Sequence, residues 1–468
     1  MFSNKLHQLF LLASSAAALF CSCNKPFKSD NYTAYFGGEV MNPTNPYVLF
    51  CKDNEVIDSV KIDEKNRFFI KFDSLAPGLY TFKNEPEYQS VYFDKNDSIM
   101  VRINAKDFDN SIIFCGRGDQ KNNFLMEMYM KNEEDRSQIF DVFDYNVKDF
   151  VKNIDSAYAA KEKFYQTKKE AIKWSDDFDV YAKAALNFHH YIKKEIYPMA
   201  HQMRTGEDIL EKLPKDYYDY RKEVNYNDEK LSSYAPFVSY LSHMLNNVAT
   251  IHYHNHFTPV DLALKENISK LNIADSLIKN KTVKNAILNN IAFTYLLEDQ
   301  NMVNNQIFLE TYHKYSTDKS KKNEILKIGN AIQMLKVGNA LPKVELVNAE
   351  DRLISSNNFT PKKTVIFFWT DNLSSHMMAA HKKIQALKAK YPAYQFIGIN
   401  LDKDQTVWKS QLKKLNTPGI TELRCTNFED LKANWAIMKV HRTIVLDSNG
   451  KIKNAFTSLF DVNFEKEL

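Results

Sequence analysis

The sequence predicts a multi-domain protein: an all-β sandwich, then an α-helical region, then a C-terminal α/β domain. Three observations predict it. Residues 32–116 carry short runs of β-branched and aromatic residues, bounded by Asn, Asp, Pro or Gly. Residues 122–337 instead repeat apolar residues at three and four spacing. From Gly338 onward, apolar strands alternate with amphipathic helices in the order βα…βα…ββα. A chain of 468 residues with 44% hydrophobic content has the material for such cores. At roughly 100–200 residues per domain, the length fits about three domains.

The first 23 residues read as a targeting segment. Lys5 gives a positive start and Leu9–Phe20 an apolar run. That run is short of the ~20 residues that span a bilayer, so it stays outside the fold. Phe20-Cys21-Ser22-Cys23 resembles a bacterial lipobox, which implies that Cys23 is lipidated and becomes the new N-terminus. An ordinary signal peptide is the plainer alternative. Residues 24–31 form a polar tether, and no later run is long enough for a membrane helix. Asn24 follows Cys23 without an acidic cluster, which favours the periplasmic face of the outer membrane.

In the β domain (32–116) the expected strands are Tyr47–Cys51, Val56–Ile62, Arg67–Phe72, Leu79–Lys83, Ser90–Phe93, Ser98–Ile103 and Ser111–Phe114. Their spacing fits a small antiparallel sandwich. Cys51 and Cys115 both lie here, so they are the pair that an oxidising envelope could join; two buried free thiols are the alternative. The order of Asp58-Ser59-Val60, Arg67-Phe68-Phe69-Ile70, Pro77-Gly78-Leu79-Tyr80 and Cys115-Gly116-Arg117-Gly118, leading into Asn122-Asn123-Phe124, is informative. It resembles the β domain found ahead of thioredoxin domains in envelope proteins of Bacteroidetes-type bacteria.

The helical domain (117–337) shows its periodicity in Phe124–Met130, Phe150–Phe164, Val180–Ile196, Tyr234–Val248, Ile268–Leu297 and Met302–Tyr315. Pro198, Pro214, Pro236 and Pro259 are expected to break it into helices. His252, His254 and His256 cluster at what reads as a helix end, where histidine complements the dipole; a metal site is the alternative. His189-His190 is open to the same two readings. The region is either a helical spacer or a partner-binding surface.

In the last domain (338–468), Asn339-Ala340-Leu341-Pro342 and Val344–Leu346 lead into the strand Thr364–Trp369. Helix Met377–Tyr391, strand Tyr394–Asn400 and Leu401-Asp402 come next. Helices Val407–Leu415 and Leu431–Ala436, strand His441–Leu446, an Asp447–Gly450 turn and strand Lys451–Ala455 complete the order. These pieces resemble the TlpA-like thioredoxin domains. The resemblance implies a thioredoxin-like fold and, for an intact member, thiol–disulfide exchange.

This chain departs from the family at the residues that do the chemistry. A thioredoxin needs a thiolate at a helix N-terminus and a second Cys three residues on. Leu373, Ser374, Ser375 and His376 occupy those positions, and disulfide exchange by that route is chemically impossible with them. His441 stands where the family has a cis-proline. A cis bond before a non-proline costs ~2.5–4 kcal/mol, so a trans bond and a reshaped loop are expected. The fold brings those two loops together, so His376 and His441 are expected to be neighbours. With Asp371, Ser375 and His381 nearby, they are metal candidates, the plainer alternative being two solvated polar residues. A Ser–His nucleophile is disfavoured, because adjacent residues on a helix do not face each other. Trp369 is expected to be partly exposed and a contact point for a partner. Cys425 reads as a buried structural thiol.

The net charge of +4, without a basic run, argues against a nucleic-acid surface. Only 11 glycines, and no phosphate-loop motif, argue against nucleotide chemistry. The function expected is therefore a redox-inactive binding or assembly module of the envelope, with a protein partner, no cofactor and no catalytic residue. A TlpA-like oxidoreductase is the first alternative and metal handling through His376 and His441 the second.

Overall fold

The first compact unit of the chain is built on eight strands. They are β1 (Ala34–Met41), β2 (Tyr47–Lys52), β3 (Glu55–Lys61), β4 (Arg67–Phe72), β5 (Gly78–Asn84), β6 (Glu87–Phe93), β7 (Ser98–Asn104) and β8 (Ile113–Arg117). The computed structural model describes residues 32–468, apart from 44, 54, 85–86, 254–261, 299–300, 360–361, 403, 416, 438–439 and 462. The targeting segment, the tether, Pro259, His254 and His256 therefore lie outside the described residues. The strands form two four-stranded sheets, ordered β4-β1-β7-β8 and β3-β2-β5-β6. Phe36 of the first sheet packs among Phe50, Phe82 and Phe93 of the second, at ring distances of 5.4, 5.3 and 6.0 Å.

Two expectations for this unit need correction. Strand β1 was not foreseen, and it pairs parallel with β7, so the first sheet is mixed rather than antiparallel. Gly37 and Gly38 hide the strand from propensity rules. They are there because β1 is central: a Cβ on Gly38 would lie 1.9 Å from the Val101 carbonyl oxygen. No disulfide joins Cys51 to Cys115. Cys51 is buried in the second sheet, whereas Cys115 is exposed on edge strand β8 of the first, so they are neither a bonded nor a buried pair.

Helix α1 (Asp119–Val142) begins inside this unit, which ends at Glu127. The Asn122 side chain accepts from the Tyr92 N–H at 2.6 Å and donates to the Tyr92 carbonyl at 2.9 Å. Asn123 does the same with Phe114, at 2.9 and 2.8 Å. Two amides thus extend the β ladders onto the helix.

The second unit, Met128–Leu468, contains the helical region and the α/β region together. Its helices continue with α2 (Val147–Ile172), α3 (Asp176–Thr205), α4 (Ala235–Tyr253), α5 (Leu262–Leu277), α6 (Lys281–Glu298), α7 (Met302–Tyr315) and α8 (Lys319–Met334). Pro198 does not break a helix: it lies inside α3. Proline removes the N–H that would bond the carbonyl four residues back. That carbonyl, of Lys194, instead accepts from the buried Tyr217 hydroxyl at 3.1 Å. The expected run Ile268–Leu297 is two helices, α5 and α6. Asn227 Oδ1 accepts from the Lys279 and Asn280 N–H groups at 2.6 and 2.8 Å, and Asn280 Oδ1 accepts from Thr282 and Val283. His252 sits in the last turn of α4. His189 and His190 are half-buried in α3, and burial pushes them down to about 4 and about 3, so both are neutral packing residues. No helix among the described residues is long and apolar enough to cross a membrane.

The last region is a seven-stranded sheet ordered β10-β9-β13-β12-β11-β14-β15. The strands are β9 (Glu345–Val347), β10 (Leu353–Ser355), β11 (Thr364–Trp369), β12 (Gln395–Asn400), β13 (Thr421–Cys425), β14 (Arg442–Leu446) and β15 (Ile452–Ser458). Strands β11, β12 and β13 run parallel, while β14 joins β11 antiparallel. Helices α9 (Ser374–Lys390), α10 (Gln405–Leu415) and α11 (Phe428–Trp435) accompany the sheet. Every residue of β11 is buried, which fits its continuous apolar run. Helix α8 packs on α11, tied by Lys432 to Glu324 at 2.6 Å.

Candidate functional site

Strand β11 delivers the chain to a short turn, Asp371–Leu373, from which α9 starts. Asp402, just past β12, holds that turn. It accepts from the Thr370 hydroxyl, from the Asp371 N–H at 2.8 Å and from Asn400 Nδ2 at 2.7 Å. The Asp371 carboxyl is pushed up by burial and then by the Asp402 charge, and it accepts from Gln411. Asp371 is thus part of the scaffold of the turn.

Leu373 is the N-cap residue of α9 and makes no side-chain cap. It is 42% exposed, an apolar side chain at the one place where a helix would activate a thiol. Ser374 and Ser375 are exposed in the first turn. His376 is half-buried, and its ring lies 4.4 Å from that of the exposed His441, nearly perpendicular at 81°. The Phe460 ring is 5.8 Å away on another side. Burial, then His441, then His381 hold His376 down at about 4, so it is neutral near pH 7. Its Nδ1 is enclosed and has no hydrogen-bond partner among the described residues.

Arg442 fixes His441 from the next position. Its Nε donates to the Ala455 carbonyl at 2.7 Å, its Nη1 to the Ala436 carbonyl, and its guanidinium lies 3.9 Å over Phe456. Burial lowers it to about 9.

The structure brings His376 and His441 together, while Trp369, Asp371 and His381 have partners of their own. Trp369 is fully buried, not partly exposed, because it is the last residue of β11 rather than part of the loop. Its Nε1 donates to Glu422 Oε2 at 3.0 Å, so it offers nothing to a partner. His381 is buried between Phe367 and Trp369, and its nitrogens bond the Met377 carbonyl and Glu422 at 2.7 and 3.1 Å. No three His, Cys, Asp or Glu side chains converge as a metal group among the described residues. Cys425 is buried at the end of β13, and burial raises its thiol. Phe460, 46% exposed, was missed. It follows β15 and reaches His376 only through the return of the last loop, for which a linear pattern carries no signal.

A thioredoxin-like family profile matches residues 361–452, and the C-terminal region has that fold. No curated protein matches the chain. Solved structures similar to this chain include the following three. The thioredoxin domain of a thiol-disulfide oxidoreductase from Bacteroides vulgatus is 19% identical, covering 25% of this chain and 85% of that one, with a TM-score of 0.22. A thiol:disulfide interchange protein from Bacteroides sp. is 18% identical, covering 25% and 80%, with a TM-score of 0.23. The C-terminal domain of a protein assigned as a thiol-disulfide oxidoreductase, from Bacteroides thetaiotaomicron, is 24% identical, covering 29% and 93%, with a TM-score of 0.24.

Proposed function

We propose that the chain is an envelope lipoprotein of the Bacteroidetes type, anchored through Cys23 at the periplasmic face of the outer membrane. Its thioredoxin-like domain binds a partner protein instead of exchanging disulfides. The observation that carries this reading is Leu373 at the N-cap of α9, with neutral His376 where the resolving thiol belongs. Beside that position stand two exposed apolar side chains, Leu373 and Phe460, flanking the His376–His441 pair. Such a surface suits contact with another protein.

Reduction of an insulin-type disulfide substrate by the full chain and by Cys425→Ser tests it. The expected result is no turnover above background in either. Turnover that disappears in Cys425→Ser sinks the reading and favours an oxidoreductase with a relocated thiol. Metal handling stands as a second reading because the two imidazoles are 4.4 Å apart. It requires zinc or copper content that falls in His376→Ala/His441→Ala.

A further inference from the structure

A small open cleft, with a cavity volume of about 40 Å³, lies between the second half of α3 and the end of α4. We propose that it binds a small uncharged molecule with an apolar body and an amide or hydroxyl end. Ile196, Pro198, Met199, Leu210 and Ile251 supply the apolar wall. Met199 and Ile251 are 41% and 37% exposed at its mouth, and methionine adapts its shape to a guest.

The floor is polar and electrically closed. The Glu195 side chain is fully buried. Its Oε1 accepts from Tyr220 at 2.7 Å and Arg221 Nε at 2.8 Å; its Oε2 accepts from Arg221 Nη2 at 2.5 Å and Asn247 Nδ2 at 2.7 Å. The carboxylate is thus neutralised and saturated by the protein, and has nothing left for a cationic guest. Asn247 donates both amide hydrogens, the second to the Tyr218 hydroxyl at 3.1 Å. That orientation leaves its Oδ1 as an acceptor with no partner among the described residues.

His243, Asn246 and Thr250 also line the cleft, and their side chains make no hydrogen bond among the described residues. Burial lowers His243 against the opposing pull of Glu195, so near pH 7 it is a neutral imidazole with one donor and one acceptor. A guest therefore meets paired donors and acceptors without net charge, against an apolar wall. A fixed set of polar groups in a largely apolar hollow is the usual form of a small-molecule site.

Three probes of matched length test this on the full mature chain: pentanamide, pentanoate and pentylammonium. Binding is read by the His243 ring and Met199 methyl resonances. Pentanamide is expected to give saturable shifts at both, with either ion at least tenfold weaker. Leu210→Trp, at a half-exposed position, is expected to fill the mouth and abolish the shifts. No saturable shift with pentanamide, equal binding of an ion, or shifts that persist in Leu210→Trp would each overturn the proposal.

Discussion

Glu422 and His381 face each other at 3.1 Å in the core of the α/β region. The Met377 carbonyl can only accept, so His381 Nδ1 carries a hydrogen. Its Nε2 then faces Glu422 Oε1 at 3.1 Å, and a lone pair set against a carboxylate would repel. Gly398 makes room for this group: a Cβ there would lie 2.5 Å from Glu422 Oε2. Glu422→Gln preserves every bond, since its oxygen accepts from Trp369 and its NH₂ donates to His381. It should cost less than ~1 kcal/mol, the order of one net hydrogen bond. His381→Leu strands a buried carboxylate and should cost about 3–5 kcal/mol. Urea denaturation of both variants decides it, and equal losses would refute this account of the pair. His376 gives a second prediction. Its folded pKa of about 4 lies below the ordinary 6.5, so the unfolded chain binds the proton more readily between those values. Stability from this residue is full above pH 6.5 and is lost as pH falls toward 4. In NMR titration the His376 ring resonances should move only near pH 4; a midpoint near 6.5 would mean that the ring is not enclosed.

Helix α3 carries an internal proline because another side chain completes it. Tyr217→Phe would leave the Lys194 carbonyl without its 3.1 Å hydroxyl partner, at a cost of about 1–3 kcal/mol. Pro198→Ala restores the missing N–H, so most of that loss should be recovered in Tyr217→Phe/Pro198→Ala. Additive losses in the double-mutant cycle would exclude the compensation. This also explains why the sequence misled at this point: the partner that rescues the helix lies 19 residues downstream of the proline, as the numbering of Pro198 and Tyr217 shows. The break between α5 and α6 was hidden for a similar reason. Ile278 is buried, so the apolar pattern runs on across the break, which is made by the distant Asn227 amide. Strands with apolar or alternating runs, such as β4 and β11, were legible to the residue. Glycine-bearing β1 and short β10 were not. At the candidate site, the pairing of His376 with His441 followed from the resemblance. The burial of Trp369 and the approach of Phe460 depend on where a strand ends and how a loop returns, which residue order alone does not encode.

At the scale of the molecule, the chain carries two cores of different composition. All four tryptophans, at positions 174, 369, 408 and 435, belong to the second unit, and none to the first. Within the second unit the helical and α/β regions share elements. The bond from Gly338 N–H to the Ile452 carbonyl at 2.8 Å and the Lys432–Glu324 pair tie them. Tryptophan fluorescence therefore reports on one unit only, while Tyr92, fully buried, reports on the other. Cooperative unfolding follows shared cores, and separate cores melt separately. In guanidinium, the fluorescence of the full chain should change in one transition that coincides with loss of helical ellipticity. A second transition, seen by tyrosine absorbance, should carry the β unit. If fluorescence resolves into two steps, with Trp174 separating from Trp369, Trp408 and Trp435 in single-tryptophan variants, the helical and α/β regions are independent domains. The shared boundary through α8 and α11 would then contribute little to cooperativity. Coincidence of all probes in a single step would instead show that the two units unfold as one.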